Sequence, residues 1–173
     1  MALSNKHIAI LAEDDYQELE LQYPRLRLIE AGARVSVLGG GNETYHSEKG
    51  YAVKADADAS TVNADAFDAV VIPGGMAPDK MRRNPAMVDF VRQLDAAGKP
   101  VAWICHAGWV PVSADIVKGR RVTSFPSIKD DMVNAGAEWV DEEVVVDGHL
   151  ISSRVPDDLP AFCKALLAAL SED

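Results

Sequence analysis

Two neighbouring side chains are matched by type and position to nucleophilic chemistry. Cys105 follows the apolar run Val101-Ala102-Trp103-Ile104 and is followed by His106-Ala107-Gly108-Trp109. A buried strand that ends on a cysteine and gives way to small residues opening a helix puts the thiol on a sharp turn, where the backbone leaves the sulfur accessible. Open α/β sheets bind their ligands at the carboxyl ends of the strands, which is where this turn falls. A helix start offers unpaired N–H groups and partial positive charge, so Cys105 is expected to titrate below the ordinary thiol value of about 8.5. Read as packing, Cys105 is a small buried apolar residue, the commonest fate of a free cysteine. His106 reads either as the proton acceptor for that thiol or as a helix cap. A second turn, Pro73-Gly74-Gly75, follows the apolar segment Asp68 to Ile72. With the N–H of His106, that of Gly75 would make an oxyanion hole, although Pro-Gly-Gly alone reads as an ordinary turn. Trp109, one turn past the cysteine, reads as packing or as a wall of the pocket.

These turns need a scaffold, and the chain alternates strand-like and helix-like segments from end to end. Short apolar runs at His7 to Ala12, Arg34 to Leu38, Asp68 to Ile72 and Pro100 to Ile104 have the character of strands buried on both faces. Between them lie an amphipathic helix from Glu18 to Gly32, with a kink expected near Tyr23 because of Pro24, and a helix from about Pro85 to Ala97. A hairpin is expected to follow Gly39-Gly40-Gly41-Asn42 and end near Lys54. Later come helices over His106 to Val117 and Ser127 to Ala135, a hairpin from Trp139 to Ser153 turned at Asp147-Gly148, and a last helix from Asp157 to Leu170. The pattern predicts a mostly parallel sheet with helices on both faces, forming one domain over 1–173.

Composition removes several classes of function. No apolar run approaches the roughly 20 residues of a membrane-spanning helix, and Met1 to Lys6 lacks the features of a secretory leader, so a cytoplasmic address without a membrane is expected. The net charge of −10, from 27 acidic and 17 basic side chains, disfavours nucleic acid as a partner. His7, His46, His106 and His149 show no metal-ligand spacing, and neither metal nor cofactor is expected. The other cysteine, Cys163, lies on the apolar face of the last helix and reads as packing.

The segments Val71-Ile72-Pro73-Gly74-Gly75 and Ile104-Cys105-His106 resemble the paired signature of the ThiJ/PfpI superfamily. Leu19-Glu20-Leu21-Gln22-Tyr23-Pro24, the run from Ile128 to Gly136 and the run from Ser152 to Leu159 are similar to its PfpI branch. The resemblance implies a flavodoxin-like three-layer sandwich, Cys105 as nucleophile and His106 as its partner. It also implies a third member, an acid from an adjacent subunit. Asp79 stands at that place, although an acid near a helix start can simply serve the dipole. The chain would then form a homodimer or a larger even-numbered oligomer.

Two departures from the family pattern are expected to matter. The family carries a glutamate beside the cysteine sulfur, and anchoring on Glu20 and Tyr23-Pro24 puts Gln17 there, with neither Glu18 nor Glu20 in register. A tyrosine near the site is replaced by Phe125. The leading expectation is a cysteine-dependent, stress-related hydrolase of peptidase, deglycase or glyoxalase type, acting on a peptide, a glycated protein or a small dicarbonyl. The alternative is a redox-sensing or chaperone-like stress protein in which Cys105 is oxidised without turnover.

Overall fold

A computed structural model describes residues 3–171 of the chain. Its strands are β1 (His7–Leu11), β2 (Arg34–Gly39), β3 (Thr44–His46), β4 (Ala52–Lys54), β5 (Ala57–Asp58), β6 (Ala69–Ile72), β7 (Val101–Ile104), β8 (Arg121–Val122), β9 (Glu138–Trp139), β10 (Val145–Asp147) and β11 (Leu150–Ser153). Its α-helices are α1 (Glu18–Glu30), α2 (Ala77–Met81), α3 (Pro85–Ala96), α4 (Trp109–Ser113), α5 (Lys129–Asn134) and α6 (Leu159–Ser171). Seven strands form one sheet in the order β10-β11-β7-β6-β1-β2-β5, parallel except where β10 meets β11. The apolar runs become its centre because they can be covered on both sides. Every residue of β6 and β7 is buried, as are Ile8 to Leu11 of β1. Fully burying each Val, Leu or Ile contributes about 1.5–3 kcal/mol.

The chain winds outward from β1 in two directions, through α1 to β2 and later through α3 from β6 to β7. Right-handed crossovers in opposite directions place their helices on opposite faces. Accordingly α1 packs beside α6, and α3 beside α4. The reversal falls between β1 and β6, the switch point where such sheets form a crevice.

Several boundaries differ from the sequence expectation. The helix expected over His106 to Val117 is a 3-10 turn over Cys105–Gly108 followed by the five-residue α4, and Asp115 then turns back with φ 58°. The hairpin at Asp147-Gly148 pairs only Val145–Asp147 with Leu150–Ser152. Trp139 instead pairs in parallel with Val122, and its indole N–H donates to Ser124 Oγ at 2.9 Å. Pro24 lies inside α1, which runs unbroken from Glu18 to Glu30. Among the described residues no helix is long and apolar enough to cross a membrane, and no three His, Cys, Asp or Glu side chains cluster as metal ligands would.

Candidate active site

Three turns converge at the carboxyl ends of β1, β6 and β7. The segment after β1 is held on both sides. Tyr16 bridges to Ser47 and Gly75, and its hydroxyl donates to the Tyr51 carbonyl at 2.6 Å. The Gln17 N–H donates to the Gly74 carbonyl at 3.1 Å, and the Met76 N–H to that of Asp15 at 2.9 Å. This stitching requires Gly75. Its φ is +77°, and a Cβ there would lie 2.5 Å from the Asp15 carbonyl oxygen and 2.6 Å from the Gln17 nitrogen. Pro73-Gly74-Gly75 is therefore more than an ordinary turn.

At the end of β7, Cys105 has φ +64°, a left-handed conformation that costs a non-glycine residue about 1–3 kcal/mol and is characteristic of functional turns. The strain turns the sulfur back over the Pro-Gly-Gly turn, where the N–H groups of Gly75 and His106 interact with it. Cys105 is 7% exposed. Gly108 lets the following turn pack closely, since a Cβ there would sit 2.9 Å from Met132 Sδ.

The carboxyl group facing this sulfur belongs to Glu20, which corrects the assignment of that position to Gln17. Gln17 is the N-cap of α1, and its side-chain oxygen accepts from the Glu20 N–H at 2.9 Å. The cap sets the helix phase so that Glu20, three residues on, points inward with no exposed surface. Glu20 Oε2 accepts from the Gly74 N–H at 2.8 Å, while Oε1 is buried without a nitrogen or oxygen partner. Gly74 makes the room, because a Cβ at that position would lie 2.4 Å from Glu20 Oε2 and 2.6 Å from Cys105 Cβ.

Burial pushes the Glu20 carboxyl up to about 8, against the opposing pull of the Gly74 N–H and the thiol. Burial also pushes the Cys105 thiol up to about 12; the Glu20 charge acts in the same direction, and the N–H groups of Gly75 and His106 oppose it. The low thiol pKa expected from a helix start is thereby corrected. The turn after Cys105 is 3-10 and α4 is short, so the dipole there is too weak to offset desolvation. At neutral pH the Glu20 carboxyl keeps its proton, and the two acids titrate as a coupled pair.

His106 Nδ1 lies 3.3 Å from Cys105 Sγ, within reach of the thiol proton. Burial lowers the pKa of its ring, which keeps the imidazole neutral and able to accept. The ring stacks on Phe125 at 4.7 Å between centroids and meets Trp109 at 5.3 Å. Its far nitrogen, Nε2, is 3.2 Å from Ser127 Oγ. Phe125 and Trp109 are thus brought to the site as walls around His106. Asp79, in α2, pairs with Arg83 at 3.1 Å instead of with the His106 of its own chain.

Sequence reasoning missed Glu20 and Ser127. A capping glutamine at 17 would have fixed the phase of α1 and turned Glu20 inward. No local signal brings Ser127 to residue 106.

The arrangement is a strained cysteine flanked by a buried acid, a neutral histidine and two glycines that cannot carry a Cβ. Residues 6–169 match the DJ-1/PfpI family model. The chain is 44% identical over 163 residues to deglycase PfpI of Pyrococcus furiosus, covering 94% of this chain and 98% of that one. It is 40% identical over 169 residues to protein/nucleic acid deglycase 2 of Escherichia coli, covering 96% and 98%. The crystal structure of a two-domain protein from Anabaena variabilis, containing DJ-1/ThiJ/PfpI-like and ferritin-like domains, superposes with a TM-score of 0.94 at 47% identity. That alignment covers 95% of this chain and 48% of the other, so the chain spans about half of the two-domain protein. The flavodoxin-like sheet, the cysteine turn and nearly full-length similarity agree, and the chain belongs to the DJ-1/PfpI family.

Proposed function

We propose that this chain is a cysteine-dependent hydrolase of deglycase type, acting in the cytoplasm on carbonyl adducts of proteins or on small dicarbonyls. The observation that carries this reading is the fully buried Glu20 carboxyl facing Cys105, whose burial favours its protonated form. A nucleophile beside an acid whose pKa is raised toward neutrality can both attack a carbonyl and exchange protons with the adduct. In the first step the Cys105 thiol gives its proton to His106 Nδ1 and the sulfur bonds to the substrate carbonyl carbon. The resulting oxyanion is held by the N–H groups of Gly75 and His106, which surround the sulfur. Glu20 moves a proton to or from the adduct. With an amide, the imidazolium proton leaves on the amine and a thioester forms. With a dicarbonyl, moving the adduct's C–H proton to the adjacent carbon gives a thioester without a leaving group. Water then cleaves the thioester, releasing the acid and regenerating the free thiol.

Methylglyoxal consumption, release of early glycation adducts from protein, and peptide hydrolysis should be assayed in parallel. Cys105→Ser is expected to abolish turnover while leaving the melting temperature within a few degrees. No turnover in either protein would sink this reading and favour redox sensing at Cys105.

The same reading includes a homodimer or larger even-numbered oligomer. Leu19 and Leu26, seven residues apart on α1, are 55% and 59% exposed, and Tyr51 beside them is 60% exposed. Such a stripe is suited to a second copy. An adjacent subunit would also be the source of an Asp79 carboxylate for His106. Light scattering at micromolar concentration is expected to give an even-numbered assembly, and a monomer would remove Asp79 from the site.

A further inference from the structure

We propose that Ser127 is a positioning residue for His106, its hydroxyl accepting the Nε2 proton so that Nδ1 stays unprotonated and faces the Cys105 sulfur. This rests on the reading of Cys105 and His106 as nucleophile and base. A neutral imidazole carries one N–H, and the nitrogen that bears it is decided by the hydrogen bond made on the other side of the ring. The two nitrogens here have different neighbours: Nδ1 meets Cys105 Sγ at 3.3 Å and Nε2 meets Ser127 Oγ at 3.2 Å. The buried thiol needs an acceptor for its S–H. A base for that thiol must present a lone pair to the S–H, and Nδ1 is the ring nitrogen within reach of the sulfur. The proton of the neutral ring therefore belongs on Nε2, with Ser127 accepting it.

The transfer balances within these groups. The S–H bond breaks as an Nδ1–H bond forms, giving an imidazolium that donates from Nδ1 to the thiolate and from Nε2 to Ser127. Phe125 fixes the ring plane by stacking but offers no hydroxyl, and Ser127, two residues on, supplies one to the same ring.

The titratable and charged groups around His106 are Cys105 in its own turn and Glu20 of α1 behind the sulfur. Two more act through Trp109: Asp131 of α5, which accepts from the indole N–H at 2.8 Å, and Arg82 after α2, 5.6 Å from the ring. Within one chain none of them hydrogen-bonds Nε2, which meets Ser127, and an Asp79 carboxylate from an adjacent subunit is the competing partner that the experiment separates.

The experiment uses full-length protein labelled with 15N-histidine, the His106 signals being assigned by difference against His106→Gln. Wild type is expected to show a protonated Nε2. Ser127→Ala should mix the tautomers and slow iodoacetamide alkylation of Cys105 by roughly five-fold, the scale of one hydrogen bond. Its pH profile should change shape, and Ser127→Thr should restore both signals. An unchanged tautomer and alkylation rate in Ser127→Ala would overturn the proposal. So would a tautomer that responds to Asp79→Asn and not to Ser127→Ala, which would assign the role to a partner's carboxylate. Neither readout needs a substrate, so a failure of the hydrolase reading, seen as turnover surviving Cys105→Ser, is distinguishable from a failure here.

Discussion

Glu20→Gln is expected to remove a pH dependence of folding stability that wild type shows between about pH 4.5 and 8. In the unfolded chain this carboxyl ionises near its ordinary value of 4.5, while in the folded protein it holds its proton to about 8. Across that window the folded state binds one more proton than the unfolded state, so unfolding becomes easier as the pH rises. The stabilisation is complete below pH 4.5 and lost as the pH climbs through 8. A shift of this size corresponds to a change on the order of 5 kcal/mol. Glutamine keeps a hydrogen-bonding group beside the Gly74 N–H and carries no titrating proton, so the difference between the two proteins isolates this residue from the other carboxylates. Urea denaturation at pH 5 and pH 8 measures it, and parallel slopes for the two proteins would refute the assignment of Glu20 as a buried neutral acid. The same variant should lose about 10²- to 10⁴-fold in dicarbonyl turnover, the contribution of a positioned acid/base. Rates close to wild type would mean that another group moves the proton.

Gly75→Ala should be more damaging to the fold than to any single contact. The alanine must adopt φ +77°, and its Cβ meets the Asp15 carbonyl oxygen at 2.5 Å, the Gln17 nitrogen at 2.6 Å and the Tyr16 carbonyl carbon at 2.9 Å. All three are backbone atoms, so no rotamer change relieves the overlap. Left-handed strain and forced repacking together cost about 2–5 kcal/mol, a large share of a typical stability of about 5–15 kcal/mol. Displacement of the Asp15–Gln17 segment also shifts the start of α1, and Glu20 with it. Thermal melting should fall by many degrees, with reactivity at Cys105 changed in whatever protein remains folded. A melting temperature within two or three degrees of wild type would show that this turn has more freedom than its hydrogen bonds imply.

The sheet was legible in the sequence because β1, β6 and β7 are buried on both faces, and such strands appear as unbroken apolar runs between turn residues. Cys105 and Gly75 were legible for a related reason: each ends one of those runs at a backbone conformation that the fold requires. Glu20 was not. A charged residue in a Glu-x-Glu pattern reads as solvent-facing, and only the capping of α1 by Gln17 and the missing Cβ of Gly74 turn it inward. The upward push on the Cys105 thiol was not legible because its largest cause is burial, which depends on the tertiary packing, and the long helix expected after it is a 3-10 turn and a five-residue helix. Ser127 was out of reach, since its contact with His106 spans 21 residues and depends on a short turn docking after the core is formed.

The sheet's two borders bear on how copies of this molecule can meet. β5 contributes two residues at one border and β10 three at the other. A strand that short presents few unpaired N–H and C=O groups to template the addition of a neighbouring chain, and Glu142 and Glu143 place charge just ahead of β10. Edge-to-edge growth, a route from a native sheet to fibrous aggregates, is disfavoured at both ends. Association is directed instead to side-chain surfaces, where contact can be closed by symmetry, and the protein should stay dispersed at concentrations that would precipitate a fold with long open edges.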